Sequence, residues 1–322
     1  MATLIVLAYN EEKNLESTLS EVSNNFDEVI IVNDGSKDKT QEILNKIEKQ
    51  YKNLQIINNK KNNGAGKSFQ IAINEFLNSD SEYFIKIDGD GQFKSKDIIF
   101  AKKLIEENRD VDFIKFDRFW QNGIEGKIPT IRYVGNAFAS FLLKISTGNW
   151  YLNDPLNGLQ ALSRKASKLI NIPKLFNRYG YPFYIATTIS NNSMIENLKI
   201  IQSQNTIVYD INKKSIKPSI MLFKLLFFSI YSFYKKIIAK LKFSNLQLSA
   251  ILDMVSIVFF LSSIFSLNQF LQIRYFNSTG PQGNWFLLFI MLIILFITSM
   301  YQSQKIESTE HLENFTQISK NE

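Results

Sequence analysis

The chain has 322 residues, of which 45% are hydrophobic, and it carries a formal net charge of +7. This length allows one α/β domain of about 200 residues together with membrane helices. The sequence contains no cysteine and one histidine, His311. Thiolate nucleophiles, cysteine zinc sites and disulfides are therefore excluded.

Short apolar runs in the N-terminal part predict parallel strands that are buried on both faces. These runs are residues 3–8, 28–32, 54–58 and 83–88. The segments between the first strands show apolar residues at helical intervals of three and four, in 13–24, 39–51 and 67–78. Alternation of strand and helix predicts a mostly parallel sheet with ligands at the carboxyl ends of its strands.

A polar turn follows each of the first three strands. The residues concerned are Ala8, Tyr9, Asn10 and Glu11 at the first strand, Asp34 after the second, and Gly64, Gly66 and Lys67 after the third. Because parallel strands end at one edge of a sheet, we expect these turns to form one ligand site.

The fourth strand leads into two carboxylates, Asp88 and Asp90, separated by Gly89. Side chains two positions apart point to the same side of a strand, so both acids can reach one hard cation, Mg²⁺ or Mn²⁺. Gln92 is a neutral second contact or an orienting group. Taken alone, the segment is equally typical of a solvated turn, and the polar turns beside it favour a metal site.

The ordered set of turns resembles the family 2 glycosyltransferases, and among them the polyprenyl-phosphate glycosyltransferases typified by dolichol-phosphate mannose synthase. The resemblance covers about residues 2–220 and rests on the motifs at 9–12, 33–36, 62–66 and 88–92. It implies a glycosyltransferase A-type domain that binds a nucleotide sugar. It also implies that the aspartate of the second motif contacts the base or the ribose, and that the fourth motif is a metal signature.

The resemblance places active-site and acceptor-phosphate residues farther along the chain. Arg118, Arg132 and Asp154 stand at these positions, together with 155–158 and 163–164. Two guanidinium groups near the metal would form a clamp for an anionic acceptor. Asp154 would orient the acceptor or help to deprotonate a hydroxyl. Each arginine is as readily a surface charge, and an aspartate before proline is as readily a turn residue.

Three residues depart from the family pattern. Ala65 stands where the glycine loop usually carries a lysine, which here follows as Lys67. Pro182 and Tyr184 stand where close relatives tend to carry acidic residues. Sugar recognition is therefore left open, and so is the choice between a GDP-linked and a UDP-linked donor.

Two apolar segments in the second half predict membrane-spanning helices. Residues 246–271 contain one charged residue, Asp253, and residues 285–301 are almost entirely apolar. A spanning helix needs about 20 residues with few charges. Trp285 and Tyr301 bracket the second segment like interfacial anchors. The alternative for each segment is a buried core helix.

A basic segment precedes these helices. Residues 216–243 are rich in Phe, Leu and Ile, and we expect them to lie in the headgroup plane with their lysines reaching anionic lipid. The lysines are Lys217, Lys224, Lys235, Lys236, Lys240 and Lys242. Because only Arg274 lies in the hairpin turn, the positive-inside rule predicts a multi-pass membrane protein with a cytoplasmic catalytic domain. No sequence feature indicates a nucleic-acid partner.

The sequence therefore predicts four segments: a catalytic domain at 1–212, an interfacial segment at 213–244, two transmembrane helices at 245–302 and a disordered polar tail at 303–322. The predicted activity is inverting, metal-dependent transfer from a nucleotide diphosphate sugar to undecaprenyl or dolichyl phosphate. The alternatives are a transferase of the same fold acting on a glycan, a protein or another lipid, and a non-catalytic membrane scaffold. Homo-oligomerisation is left open.

Overall fold

The four N-terminal apolar runs form neighbouring strands in the computed structural model, and a larger sheet extends from them. The structure describes residues 1–120, 124–125, 129–208, 218–242, 246–276 and 280–319. Contacts divide the chain into two compact units, Met1–Ser229 with Asn314–Glu322, and Ile230–Glu313.

The strands of the described chain are β1 Ala2–Ala8, β2 Glu28–Asn33, β3 Leu54–Asn58, β4 Tyr83–Asp88, β5 Phe113–Asp117, β6 Ile124–Glu125, β7 Gln160–Ser163, β8 Ile200–Gln204, β9 Ile207–Val208 and β10 Phe315–Ile318. The main sheet has the order β10, β8, β5, β7, β4, β1, β2, β3. Neighbours are parallel except at β7, which runs antiparallel to β4 and β5. The sheet is mixed and mostly parallel, which confirms the predicted fold class.

The helices of the described chain are α1 Leu15–Val22, α2 Thr40–Glu48, α3 Ala65–Asn78, α4 Ser95–Glu107, α5 Thr130–Thr147, α6 Arg164–Ser167, α7 Tyr181–Glu196, α8 Pro218–Lys240, α9 Gln247–Tyr275 and α10 Gln282–Glu313. Helices α1 and α2 lie inside their predicted intervals. Helix α3 begins two residues earlier than predicted, within the glycine loop.

Both faces of the sheet are covered, which explains the continuous apolar runs of its strands. In β1, Ile5 packs in the same cluster as Phe69 of α3, and Val6 packs on the opposite face in the same cluster as Leu15 of α1. All seven residues of β1 are buried. The polar side chains that a ligand can reach therefore lie at the strand ends and in the turns that follow them.

The segment after the apolar helices differs from the predicted disordered tail at 303–322. Helix α10 continues to Glu313, and β10 pairs with β8 at the edge of the main sheet. Phe315 stacks on Tyr151 with ring centroids 5.5 Å apart, and Ser203 Oγ donates a hydrogen bond to the carbonyl oxygen of Ile318 at 2.8 Å. His311 is buried in α10. The prediction is wrong because the strand is stabilised by partners more than 100 residues away.

Among the described residues, α9 and α10 are long and apolar enough to cross a membrane. Only 6% of the most apolar window of α10 and 28% of that of α9 are buried. A core helix would hide most of these side chains, so the exposed apolar surface favours lipid as the surroundings.

Helix α8 has exposed apolar side chains along much of its length, as expected for a helix in the headgroup plane. They include Phe223, Phe227, Ile230, Tyr234 and Ile238. Its lysines differ from the prediction that all of them reach lipid. Lys235 is exposed, as is Lys242 two residues after the helix, and Lys224 is partly buried. Lys236 and Lys240 are buried. Lys217 lies outside the described residues.

The two buried lysines form an ion cluster with acids of the apolar helices. Lys236 Nζ lies 2.8 Å from Glu307 Oε2, and Lys240 Nζ lies 2.5 Å from Asp253 Oδ2. Lys240 also pairs with Glu307, and Ser303 Oγ donates a hydrogen bond to Asp253 Oδ1 at 2.5 Å. The two positive and two negative charges compensate one another, which explains why an apolar helix contains Asp253.

The predicted domain boundaries at 212 and 244 lie outside the described residues. The boundary predicted at 302 falls inside α10, which runs through it without a break.

Candidate active site

The carboxyl ends of β1, β2 and β4 are joined by hydrogen bonds from the turns that follow them. The backbone N–H of Asp34 donates to the carbonyl oxygen of Ala8 at 2.8 Å, and that of Gly89 donates to the carbonyl oxygen of Leu7 at 2.9 Å. The turns after these three strands therefore lie side by side at one edge of the sheet.

The turn after β1 is fixed to the loop after β2. Asn10 adopts a positive φ of 57°, its N–H donates to Ser36 Oγ at 3.0 Å, and its side-chain oxygen accepts from the N–H of Lys37 at 2.8 Å. The N–H of Glu11 donates to Thr40 Oγ1 at 2.9 Å. Tyr9 is left 40% exposed beside this rigid turn.

Asp34 holds the glycine loop. One carboxylate oxygen accepts from the N–H of Asn63 at 2.9 Å, and the other accepts from the N–H of Gly64 at 2.8 Å. Asn59 Nδ2 donates to the same carboxylate at 3.0 Å. Asp34 is buried, so in this structure it anchors the loop, whereas the resemblance implied a contact with base or ribose.

The glycine loop packs directly on the backbone of the segment before α7. The N–H of Lys67 donates to the carbonyl oxygen of Asn177 at 2.9 Å, while its side chain is exposed. Gly64 has a φ of 96°, and a Cβ added at Gly66 would lie 2.0 Å from the carbonyl oxygen of Phe176. Only glycine at position 66 allows this approach.

We expect Gly66→Ala to lower stability by about 2 kcal/mol or more, because the loop must move away from Phe176. Gly135→Ala is the matched control, since a Cβ there meets no atom within 4 Å in helix α5 and is expected to add up to about 1 kcal/mol. Thermal unfolding of both variants in detergent checks this. Equal melting temperatures for the two variants would contradict the packing described.

The two carboxylates at the end of β4, Asp88 in the strand and Asp90 in the turn after it, are partly exposed. Asp88 Oδ1 lies 2.7 Å from Lys86 Nζ, and Asp90 Oδ1 accepts from the backbone N–H of Gln92 at 3.2 Å. Among the described residues, no group of three or more His, Asp or Glu side chains is placed to hold a metal ion. Two carboxylates fit a hard divalent cation that completes its shell with substrate oxygens and water.

The loop before β7 contacts both β4 and β5, because β7 is antiparallel and starts at their carboxyl ends. Asp154, with a φ of 46°, accepts from Arg118 Nε and a terminal guanidinium nitrogen, both at 2.7 Å. Gly158 lies against Asp88, and a Cβ there would come within 2.6 Å of Asp88 Oδ2. A single loop thus connects the arginine with the acidic motif.

The geometry changes the interpretation of Arg118. The sequence predicts that Arg118 and a second arginine clamp the acceptor phosphate. In the structure the Arg118 guanidinium is instead bound to the buried Asp154. Asp154 is equally engaged, because both of its carboxylate oxygens accept hydrogen bonds from Arg118. Arg132 lies in the first turn of α5 and is half-buried.

The pair Ser163 and Arg164 lies away from this edge, unlike the position implied by the resemblance. Ser163 is paired with Tyr83, at the start of β4. The Arg164 guanidinium donates to the carbonyl oxygens of Leu77 and Phe76, in the last turn of α3. Arg164 therefore caps a helix.

A cavity of about 550 Å³ opens beside the Arg118–Asp154 pair. Aromatic rings of the first compact unit line it, together with one glutamine from β10. The rings are Phe119, Trp120, Tyr133, Phe141 and Trp150, and the glutamine is Gln317. Asp117 and Lys144 also line it, and burial raises the pKa of Asp117. The cavity suits an apolar ligand that carries a polar head.

Two lysines inside the sheet belong to no predicted motif. Lys86 of β4 and Lys115 of β5 are both fully buried and flank Gln160 of β7 in register. The side-chain N and O of Gln160 have no hydrogen-bond partner among the described residues. A lysine at an inward position of a buried strand is unusual, because burying an ammonium group is costly, and this signal is visible in the sequence.

Tyr181, at the start of α7, also belongs to the site. Its ring centroid lies 5.2 Å from Lys86 Nζ. Burial raises the pKa of Tyr181 well above its ordinary value, and the carboxylates of Asp88 and Asp90 raise it further. Its hydroxyl therefore stays protonated at neutral pH.

Lys115 predicts a measurable pH dependence. Burial lowers its pKa from 10.5 to about 7. Between these values the unfolded chain binds more protons than the folded protein, so the destabilising effect of this lysine is full below pH 7 and fades as the pH rises. We expect the stability gained by Lys115→Met over wild type to shrink by roughly 2.5 kcal/mol from pH 6 to pH 9.

Thermal unfolding of Lys115→Met and wild type at both pH values measures this difference in stability. The exposed Lys199→Met is the control, and its effect is expected to be the same at pH 6 and pH 9. A stability difference between Lys115→Met and wild type that stays constant or grows with pH would contradict the burial of a titrating lysine.

The three departures from the family pattern lie close to this site or pack beneath it. Ala65 is the first residue of α3, and Pro182 lies in the first turn of α7. The Tyr184 hydroxyl donates to the carbonyl oxygen of Asn171 at 2.7 Å, and its ring packs on Phe228. Tyr184 therefore has a packing role.

Comparison with known proteins agrees with this geometry. Residues 3–167 match the model of "Glycosyl transferase family 2". The chain belongs to this family. The matched part of this glycosyltransferase runs from β1 to α6 and includes the turns that carry Asp34, Asp88, Asp90 and Asp154.

The glycosyltransferase is 31% identical over 194 residues to the UDP-N-acetylglucosamine–dolichyl-phosphate N-acetylglucosaminyltransferase of Methanococcus voltae, covering 55% of this chain and 74% of that protein. It is 36% identical over 115 residues to a dolichyl-phosphate beta-glucosyltransferase of Trichomonas vaginalis, covering 32% and 35%. The chain spans at most 60% of several other curated relatives. These matches confirm the resemblance to polyprenyl-phosphate glycosyltransferases.

A solved structure shows the same fold. Glucosyl-3-phosphoglycerate synthase from Mycobacterium tuberculosis, in complex with Mn²⁺, UDP-glucose and phosphoglyceric acid, superposes with a TM-score of 0.54. The identity is 14%, and the superposition covers 72% of this chain and 79% of that one. At this identity the likeness concerns the fold alone.

Proposed function

We propose that the chain transfers a sugar from a nucleotide diphosphate sugar to a polyprenyl phosphate, such as undecaprenyl or dolichyl phosphate. The observation that carries the proposal is the presence, in one chain, of a family 2 catalytic unit and two apolar helices with exposed side chains. Two spanning helices would hold the catalytic unit at the membrane, where an acceptor anchored in lipid lies. Two relatives named for transfer to dolichyl phosphate support the same acceptor class.

We infer a UDP-linked donor ahead of a GDP-linked one. The name of one relative includes UDP-N-acetylglucosamine, and the solved structure contains UDP-glucose. The nucleotide is proposed to lie along the ends of β1, β2 and β3. The proposed contacts are Ala8, Tyr9, Asn10, Glu11, Gly64, Gly66, Lys67 and Gly89, while Asp34 holds the glycine loop in place for them.

Asp88 and Asp90, with Gln92 beside them, are proposed to hold Mg²⁺ or Mn²⁺. Their oxygen donors suit either ion, and the solved structure with Mn²⁺ supports a divalent metal. When bound, the metal neutralises the charge that develops on the departing diphosphate.

The reaction is a single displacement in this proposal. An oxygen of the acceptor phosphate forms a bond to the anomeric carbon, and the bond from that carbon to the donor diphosphate breaks, releasing the nucleoside diphosphate. Attack from the opposite side inverts the configuration. The acceptor oxygen is already an anion at neutral pH, so the reaction needs no strong base. This agrees with the engagement of Asp154 by Arg118.

The aromatic cavity at the end of β5 is the proposed site for the first isoprene unit of the acceptor. Its rings provide apolar contact, and the Arg118–Asp154 pair lies at its polar end. Arg132, in the first turn of α5, is the proposed cation for the acceptor phosphate. Asp154 sets the orientation of Arg118.

A cytoplasmic active site follows from the distribution of basic residues. Lys235 and Lys242 precede α9, and Lys305 follows the apolar part of α10, whereas Arg274 lies in the last turn of α9, at the other end of the hairpin. A hairpin returns its two outer ends to the same side, and the positive-inside rule assigns that side to the cytoplasm.

Incubation of the detergent-solubilised protein with radiolabelled UDP- and GDP-sugars, undecaprenyl phosphate and Mn²⁺ tests the proposal. We expect label from one UDP-sugar to enter the organic phase, and EDTA to prevent this. Label on a protein or glycan would favour the alternative acceptors. Absence of both transfer and donor hydrolysis with every donor would favour the scaffold.

A further inference from the structure

Lys86 places a buried positive charge next to the acidic motif of Asp88 and Asp90. It lies two residues before Asp88 on β4, and its Nζ is 2.7 Å from Asp88 Oδ1. Its exposed fraction is zero, while the side chain of Asp88 is 34% exposed. The ammonium group therefore contacts the carboxylate from inside the sheet and leaves it accessible to solvent.

The surroundings of Lys86 keep it at this carboxylate. The Tyr181 ring covers the ammonium group, and the neighbouring strand β1 presents the apolar Ile5 in register. A Cβ at Gly158 would lie 3.3 Å from Lys86 Nζ and 2.6 Å from Asp88 Oδ2, so this glycine closes tightly over the pair. A buried ammonium group needs a charged partner, and Asp88 is the partner that it has.

This contact changes what the motif offers to a metal ion. Two carboxylates alone attract a divalent cation, but an ammonium group on one of them offsets part of their charge and repels the ion. A nucleotide diphosphate adds negative charge at the same strand ends. Metal binding is then favourable mainly when the nucleotide is present.

We propose that Lys86 is the resident counter-cation of the Asp88–Asp90 motif and makes binding of the divalent metal depend on the nucleotide diphosphate. The inference rests on the proposed function, which places a metal and a nucleotide diphosphate at this motif. It assigns to Lys86 a positioning role that acts through Asp88.

Mn²⁺ binding measured by electron paramagnetic resonance, with and without UDP and without any acceptor, tests this. Wild type is expected to bind Mn²⁺ weakly alone and much more tightly with UDP, with GDP as a second probe. Lys86→Met is expected to bind Mn²⁺ alone at least about tenfold more tightly, because the repelling charge is gone. The factor by which UDP increases the Mn²⁺ affinity should be smaller in Lys86→Met than in wild type by a similar amount.

Two further variants separate charge from structure. Lys86→Arg keeps the charge and should retain the wild-type dependence on UDP. Lys115→Met removes the other buried lysine, which contacts the carbonyl oxygen of Asn157, and should also leave this dependence unchanged. Lys86→Gln replaces Lys86→Met if the latter fails to give a cooperative melt.

The inference is overturned if the neutral variants bind Mn²⁺ alone no more tightly than wild type, or if UDP enhances binding equally in all proteins. It is also overturned if wild type binds Mn²⁺ no better with nucleotide. Failure of the proposed function looks different, since absence of transfer to any acceptor leaves the Mn²⁺ and UDP measurements intact.

Discussion

Replacing Asp90 by asparagine is expected to lower sugar transfer by about 10²- to 10³-fold, the scale seen when a group that stabilises developing charge is removed. Asparagine keeps the shape of the side chain and can still accept the hydrogen bond from the N–H of Gln92, so the turn should survive. What is lost is the charge that holds the metal against the diphosphate. The rate of label transfer at saturating Mn²⁺ measures the effect.

The matched control is Asp80→Asn. Asp80 is exposed and lies shortly before β4, whereas Asp90 lies shortly after it. This variant should transfer sugar at the wild-type rate, and both variants should melt within a few degrees of wild type. A rate of transfer by Asp90→Asn within tenfold of wild type would show that the reaction does not depend on the acidic motif.

Replacing Arg118 by methionine is expected to affect both stability and transfer. Asp154 is fully buried, and Arg118 holds it through two hydrogen bonds of 2.7 Å. Removing one partner leaves a buried charge without compensation, which typically costs about 3–5 kcal/mol. Thermal unfolding should show the loss of stability, and steady-state kinetics should show a higher KM for the polyprenyl phosphate and a lower kcat.

A double variant separates the two effects. Asp154→Asn removes the orphaned charge and tolerates the positive φ of this position, since asparagine adopts it readily. The combination of Arg118→Met with Asp154→Asn should therefore regain most of the stability and none of the transfer. A double variant that transfers at the wild-type rate, or a single Arg118→Met that melts like wild type, would contradict the role given to this pair.

The part of the site that the sequence predicts correctly is the part set by local rules. An apolar strand followed by a polar turn brings Ala8, Asp34 and Asp88 to one edge, because parallel strands end together. The apolar run of β4 ends at Asp88, and the second acid, Asp90, lies in the turn that follows it. These features need only a few consecutive residues to be recognised.

The features that the sequence does not predict depend on contacts between distant segments. Residues 315–318 lie in a polar stretch of the sequence. They form a strand because they pair with β8 at the edge of the sheet. The sequence predicts that the lysines of residues 216–243 face lipid, but Asp253 and Glu307 neutralise two of them. Neither partner can be identified from local composition.

The roles of Asp34 and Arg118 show the same limit. Both residue types are suited to the ligand contacts that the resemblance implies, and both are engaged by the protein itself. The backbone N–H groups of Asn63 and Gly64 occupy Asp34, and Asp154 occupies Arg118. The motif predicts where such a residue lies, while its partners depend on how the loops pack.

A structure of the protein with a UDP-sugar and Mn²⁺, with the ion located by anomalous scattering, tests the central claim most directly. We predict one strong peak between the carboxylates of Asp88 and Asp90 and the donor diphosphate, with the nucleotide along the ends of β1 and β2. An ion located elsewhere, or a nucleotide bound away from these strand ends, would contradict the account.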